Sequence, residues 1–91
     1  MPDRDDRLTI PASVVTRKVG DETVILDLES GTYFGLDTVG SRFLELLAAH
    51  RTIGAVLPVM LAEFEVGPDE LEGDLIRLSD EMLAGGLLAR G

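Results

Sequence analysis

The sequence VILDLESGTYFGLDTVG, residues 24–40, passes from a strand pattern to the start of a helix. Thr23–Leu28 carries apolar residues at alternate positions and Thr32–Leu36 is a short aromatic run, both of which favour strands. Between them, Glu29–Gly31 supplies the Ser and Gly that tight turns favour, so the two strands are predicted to pair antiparallel. Asp37 or Thr38 can then cap a helix by accepting a hydrogen bond from a free backbone N–H group.

The first strand of this pattern, Thr23–Leu28, has two unequal faces. Val24, Leu26 and Leu28 share one face, and Asp27 lies on the other. Another run, Ser13–Val19, precedes this strand and is rich in the β-branched residues that strands favour. The three runs together predict a three-stranded antiparallel sheet.

Beyond the hairpin, apolar residues recur at helical spacing in three successive stripes. The stripes are Val39, Phe43, Leu46, Leu47 and His50; Ile53, Val56, Leu57, Met60, Leu61 and Phe64; and Leu71, Leu75, Leu78 and Met82. Pro58 lacks a backbone N–H, so the second helix is predicted to start late or to bend there. Gly85–Gly86 is predicted to end the third helix. Strands followed by helices predict an α+β fold for residues 13–91, with residues 1–12 as a flexible polar lead-in.

Composition limits the classes of protein that this chain can represent. It has 91 residues, 45% of them hydrophobic, which suits a single small domain. It carries 17 acidic and 8 basic residues, a net charge of −9 that opposes binding to nucleic acid or to an anionic membrane. No apolar run approaches the roughly 18 residues of a transmembrane helix. No signal peptide is recognised either, so the cytoplasm is the expected location.

Residues that could perform catalysis are few. No cysteine is present, and the single histidine, His50, has no nucleophile at a recognisable spacing. Gly35–Arg42 only loosely imitates a phosphate-binding loop, because Ser41 stands where that loop needs Lys. The carboxylates follow no calcium-loop pattern and are expected on solvated helix faces. We therefore predict no catalytic residue, no metal site and no cofactor, and expect a protein that is not an enzyme.

The third strand is predicted to lie at the edge of the sheet. One side of Thr32–Leu36 then carries free backbone N–H and C=O groups, which attract other strands. An apolar edge beside a helix favours peptide binding by strand addition. Phe34 and Leu36 can also simply fill the core, and the two interpretations are compatible for different side chains.

The third helix has two flanks beside its apolar stripe. Asp74, Arg77 and Glu81 lie on one flank and form a polar margin next to an apolar groove edge. Ile76 and Leu83 lie on the opposite flank. The first flank is predicted to face a groove, and the second is its rival.

Residues 24–40 resemble the signature of the PqqD family: a hydrophobic strand, an acidic turn with Gly, an aromatic strand ending in Leu, then Asn or, less commonly, Asp, two residues and Gly. The resemblance covers about residues 14–89 and continues through residues 43–47, 62–66, 74–75 and 86–88. It implies a small winged helix-turn-helix domain. Such domains recognise the leader of a ribosomally made precursor peptide and present it to modifying enzymes. Four positions depart from the family pattern: Asp37, Pro58, Gly73 and Ser79.

The resemblance also implies where a leader binds. In the family the leader adds as a strand to the third strand, in a groove shared with the third helix. The residues carried over to the strand wall are Thr32, Tyr33, Phe34, Gly35 and Leu36. Those carried over to the helix wall are Leu71, Asp74, Leu75, Arg77, Leu78 and Glu81.

Two uses are open within this family. One is the stand-alone leader-binding protein of lasso-type peptide biosynthesis, which works with a leader protease and a cyclase. The other is the peptide chaperone of pyrroloquinoline quinone biosynthesis, which delivers its precursor to a radical enzyme. We favour the lasso-type use. A winged-helix DNA-binding protein is a remote alternative, because a third helix rich in carboxylates repels phosphate.

Overall fold

Three helices and two antiparallel sheets make up the structure, a computed structural model that describes residues 1–91. In chain order the elements are β1 (Leu8–Thr9), β2 (Val14–Val19), β3 (Glu22–Asp27), β4 (Tyr33–Leu36), α1 (Thr38–His50), α2 (Ile53–Glu63), α3 (Pro68–Ala84) and β5 (Ala89–Arg90). β2, β3 and β4 form a three-stranded sheet in sequential order, and β1 pairs with β5. The predicted α+β fold, a three-stranded antiparallel sheet followed by three helices, is confirmed.

The three-stranded sheet buries one face. Ile25 of β3 lies opposite Phe34 of β4 and is inaccessible to solvent, whereas Val24 and Leu26 on the other face are only half-buried. The predicted alternation in β3 is present. However, the face that enters the core is the one that carries Asp27 and not the one with more apolar residues.

Asp27 tolerates burial because its carboxylate is hydrogen-bonded within the β3–β4 turn. It accepts hydrogen bonds from the hydroxyl of Ser30 at 2.9 Å and from the backbone N–H of Glu29 at 3.1 Å. These bonds, that of Ser30 first, hold the pKa of Asp27 below its usual value. Gly31 completes the turn with a positive φ of 74°, a conformation that glycine adopts without strain. The turn thereby fixes where β4 begins.

Residues 1–12 differ from the predicted flexible lead-in. Leu8 is buried at 1% exposure, and its N–H donates to the carbonyl of Arg51 at 2.8 Å. Leu8 and Thr9 pair with β5 at the other end of the chain, next to the buried Leu87 and Leu88. Two-residue strands that pair across the chain leave no local period, so the sequence pattern does not reveal them.

The first two helices begin where their capping residues predict. The Asp37 side chain accepts from Gly40 N–H at 2.8 Å, and the Thr52 side chain accepts from Ala55 N–H at 3.1 Å. Of the two effects predicted for Pro58, a late start or a bend, the late start does not occur, since α2 begins directly after Thr52 and runs through Pro58. The helix stays continuous to its end at Glu63, although Pro58 has no backbone N–H to donate.

His50 is exposed at the end of α1, as suits a histidine near a helix end, although it shares a helical face with the apolar stripe. It is the last residue of the helix, and Leu47, one turn earlier, is the last buried one. The angular position of a residue on a helix does not show at which turn the neighbouring elements stop covering that helix.

The third helix, α3, buries its predicted stripe. Leu71, Leu75 and Met82 are buried and Leu78 is half-buried, while Ser79 adds an unpredicted buried hydroxyl. The helix ends before Gly85–Gly86 as predicted. None of the three helices combines the length and apolar character needed to cross a membrane.

Candidate functional site

A groove of about 610 Å³ lies between β4 and α3. One wall comes from β4, the opposite wall from α3, and the end wall from the start of α1 together with the link between α2 and α3. The lining residues are Phe34, Gly35, Leu36, Asp37, Val39, Gly40, Phe64, Glu65, Val66, Leu71, Asp74, Leu75 and Leu78. Most of them are apolar, so the groove suits apolar side chains of a ligand.

The outer side of β4 is a free strand edge, because β4 is the last strand of the sheet. At the turn, the N–H of Asp27 donates to the carbonyl of Thr32 at 2.8 Å. Backbone groups in an antiparallel strand alternate in direction, so those of Phe34 and Leu36 point towards β3. The backbone N–H and C=O groups of Tyr33 and Gly35 therefore point to the open edge and can accept another strand.

The side chains of β4 divide between the groove and the opposite face. Leu36 is buried and Phe34 half-buried, and both line the groove. Tyr33 is 71% exposed and does not line it. Gly35 contributes through its backbone, and a Cβ added there would have no atom within 4 Å. The space beside the face of the strand at Gly35 is therefore open.

The α3 wall combines a buried floor with a charged rim. Leu71 and Leu75 are buried and Leu78 is half-buried. Asp74 is exposed on the rim, where it forms an ion pair with Arg77 one turn later. The site therefore offers a ligand an apolar surface on α3 next to unpaired backbone groups on β4.

The structure brings together most of the predicted site residues. Those that line the groove are Phe34, Gly35, Leu36, Leu71, Asp74, Leu75 and Leu78. Those that lie outside it are Thr32, Tyr33, Arg77 and Glu81. Their contact with a peptide stays a prediction in every case.

The four predicted residues outside the lining have different surroundings. Thr32 lies against the end of α3, where a Cβ on Gly85 would come within 3.7 Å of its methyl group. The side chain of Tyr33 belongs to the outer face of the sheet. Arg77 contacts Asp74 on the rim. Glu81 is exposed and lies two helical turns beyond Asp74.

The rival flank of α3 does not face the groove. Ile76 and Leu83 are half-buried and pack against the hydrophobic core. The flank that carries Asp74 is therefore the one beside β4.

Six lining residues are missing from the predicted set: Asp37, Val39, Gly40, Phe64, Glu65 and Val66. The sequence pattern assigns Asp37 to a helix cap and Val39 and Phe64 to helix stripes. Phe64 ends the stripe of α2 and stays half-buried, which is a weak sequence signal for a partly open wall. Their convergence depends on how α1, α2 and α3 pack together.

The groove carries carboxylates and no Lys or Arg among its lining residues. Asp37, Glu65 and Asp74 are its charged members. Asp37 is engaged as a helix cap, so Glu65 and Asp74 are the carboxylates most available to a ligand. The lining therefore favours a neutral or basic peptide over an acidic one.

A chain of charged side chains crosses from β2 over α1 to the end of α2. Arg42 donates from Nε and Nη2 to the two carboxylate oxygens of Glu63, at 2.8 and 2.7 Å. Its Nη1 donates to Glu45 at 3.2 Å, and Lys18 donates to the other oxygen of Glu45 at 2.5 Å. The pKa of Glu63 is lowered by Arg42, that of Glu45 by Lys18 first and Arg42 second, and that of Arg42 is raised.

No three His, Asp or Glu side chains converge as a metal site would require. The described contacts also bring no nucleophile and base together at the groove. What the arrangement offers chemically is a free strand edge, an apolar floor and a carboxylate rim.

A free strand edge beside an apolar groove is the distinguishing feature of this small α+β domain. The sequence model of the family described as "Coenzyme PQQ synthesis protein D (PqqD)" matches residues 22–88. The chain belongs to the PqqD family, as the resemblance of residues 24–40 predicts.

A solved structure agrees with this assignment. It is described as "TbiB1 in Complex with the TbiA(beta) Leader Peptide" and shares 37% sequence identity with this chain. The match covers 87% of this chain and 92% of the other, with a TM-score of 0.80. No curated protein matches the chain.

Proposed function

We propose that this protein binds the leader of a ribosomally made precursor peptide and presents it to processing enzymes, without catalysing a reaction itself. The free edge of β4 beside the groove is the observation that carries this proposal. The complex of TbiB1 with a leader peptide supports it, because that protein has the same fold over most of both chains.

The leader would add as a fourth strand to β4. Its backbone would exchange hydrogen bonds with Tyr33 and Gly35, whose N–H and C=O groups face the open edge. Every second leader side chain would then point into the groove, over Phe34, Leu71 and Leu75. Each apolar side chain buried there would contribute about 1.5–3 kcal/mol.

The carboxylates of the groove would add selectivity. Glu65 and Asp74 lie on the lining and no Lys or Arg does, so a leader with a basic residue next to its apolar anchors would bind best. Charge complementarity of this kind acts mainly on the association rate and on the choice of partner.

Of the two pathways we propose the lasso type, in which the partners would be a leader protease and a cyclase. The likeness to TbiB1, which was solved with a leader peptide, supports leader binding, a step that both uses share. The description of the family favours the alternative, delivery of the pyrroloquinoline quinone precursor to a radical enzyme. In either pathway the precursor is made on ribosomes, so the protein would act in the cytoplasm. Reconstitution with the enzymes encoded beside this chain separates the two uses.

The binding site is tested by Gly35→Pro. Proline removes the N–H that faces the open edge, and edge strands accept proline at such a position because no ladder bond is lost. We expect at least a tenfold loss of affinity, about 1.4 kcal/mol, for the labelled TbiA(beta) leader peptide, measured by fluorescence anisotropy.

Gly35→Ala is the matched control. It keeps the N–H, and its methyl group has no neighbour within 4 Å, so leader affinity should stay at the wild-type value. Circular dichroism would verify that both variants fold. If folded Gly35→Pro binds the leader as tightly as the wild type, strand addition to β4 is wrong.

A further inference from the structure

The end wall of the groove is formed in part by Phe64, Glu65 and Val66, which link α2 to α3. Two hydrogen bonds involve the backbone N–H groups of this link: Phe64 donates to Met60 at 2.9 Å, and Val66 donates to Phe64 at 3.1 Å. Both acceptors belong to the same stretch of chain. No backbone hydrogen bond therefore ties this wall to β4 or to α1 across the groove.

An ion pair supplies a connection that the backbone lacks. Glu63 is the last residue of α2 and directly precedes Phe64 in the wall. Its two carboxylate oxygens each accept one hydrogen bond from Arg42 of α1, at 2.8 and 2.7 Å. A paired geometry of this kind fixes direction as well as distance. Arg42 in turn lies on the helix turn that begins with Val39, which lines the opposite part of the end wall.

Arg42 is also held from its other side. Its Nη1 donates to Glu45 at 3.2 Å, and Glu45 accepts from Lys18 of β2 at 2.5 Å. An isolated surface ion pair contributes little to stability, but a network with paired geometry restricts its members more strongly. The hydrogen bonds of Arg42 also lower the pKa of Glu63, so this carboxylate stays ionised at neutral pH.

We propose that Arg42 and Glu63 are positioning residues of the leader groove. Their ion pair sets where the Phe64–Val66 wall stands relative to β4, and thereby how well a leader side chain fits. Neither residue lines the groove, so the pair acts through the wall and not by contact with the peptide. This inference rests on the proposed leader binding.

The test compares Glu63→Gln with Glu45→Gln, using the labelled TbiA(beta) leader peptide as the probe. Glu63→Gln keeps the size of the side chain and removes the charge that holds Arg42. We expect its dissociation constant to rise about 3- to 30-fold with little change in melting temperature. Glu45→Gln weakens the same network on the side away from the groove, and its affinity should equal that of the wild type.

A charge exchange provides a rescue. Arg42→Glu alone should weaken binding, and adding Glu63→Arg should recover most of the affinity, because the pair is then rebuilt with reversed signs. Equal affinities of the wild type and Glu63→Gln would overturn the inference and leave the proposed leader binding intact.

A third outcome separates the two proposals. If neither the wild type nor any variant binds the probe, the proposed leader binding is wrong for this peptide. The role of the ion pair is then tested in the protein without peptide. Amide hydrogen exchange at Phe64 and Val66 should be faster in Glu63→Gln than in Glu45→Gln. Equal exchange in the two variants contradicts a positioning role.

Discussion

Ser79 is a polar side chain enclosed by the core. It is 0% exposed on the buried face of α3, and its hydroxyl has no hydrogen-bond partner. Ser41 of α1 is a useful contrast, since its equally buried hydroxyl donates to the carbonyl of Leu36 at 3.5 Å. An unpaired buried hydroxyl destabilises a fold, because it loses its hydrogen bonds to water and gains none.

Ser79→Ala should therefore stabilise the protein. Removing the unpaired hydroxyl, and placing a better helix former in α3, should raise the free energy of unfolding by about 1 kcal/mol. Urea denaturation measures this change, and Ser41→Ala should move it in the opposite direction. A loss of stability in Ser79→Ala would show that its hydroxyl has a partner after all.

Single residues also show which parts of the groove lining can be predicted from the sequence. Leu71, Asp74, Leu75 and Leu78 follow from helical spacing together with the family resemblance, and the structure places all four on the α3 wall. Glu65 does not follow from either, because it lies in a link whose path depends on helix packing. Residues on regular elements are predictable from their spacing, whereas residues on links are not.

At the scale of elements, β1 and β5 close the fold through a short pair of strands. Leu8 pairs with Arg90 and Thr9 with Ala89, and Leu8 itself belongs to the hydrophobic core. Local patterns predict β2, β3, β4 and the helices, because each has either a period or a strand-favouring composition of its own. They miss β1 and β5, because two residues are too few to show a period and the pairing joins distant parts of the chain.

Leu8→Ala tests whether this strand pair belongs to the cooperative core. Truncating a buried Leu should lower the free energy of unfolding by about 2–5 kcal/mol, a large part of the stability of a domain this size. Val15→Ala on the exposed face of the sheet is the control and should change it by less than about 0.5 kcal/mol. If Leu8→Ala in urea denaturation matches this control, residues 1–12 are the independent lead-in that the sequence predicts.

At the scale of the whole molecule, charge affects folding only where it differs between the folded and unfolded states. The chain carries a net charge of −9, yet the carboxylates whose pKa the fold lowers are Asp27, Glu45 and Glu63. Asp27 closes the β3–β4 turn, and the two Glu residues hold Lys18 and Arg42. We therefore expect the free energy of unfolding to depend on acid pH mainly through the hairpin carboxylate and the two carboxylates of the α1–α2 ion network.

The direction of the pH dependence follows from these lowered pKa values. A carboxylate with a lowered folded pKa binds protons less readily when folded, so its stabilisation is present above its ordinary pKa, 3.8 for Asp and 4.5 for Glu. That stabilisation is lost as the pH falls through the folded value. We expect the melting temperature to change little from pH 7 to about pH 5 and to fall below that.

Acidification also relieves the repulsion among the many carboxylates, which acts in the opposite direction. A double variant, Glu45→Gln with Glu63→Gln, separates the two effects, because it keeps most of the negative charge and lacks the ion network. Its melting temperature should be slightly lower than that of the wild type at pH 7, and the difference should shrink as acidification protonates the wild-type carboxylates as well. A difference that stays constant over this range would mean that the network does not couple protonation to folding.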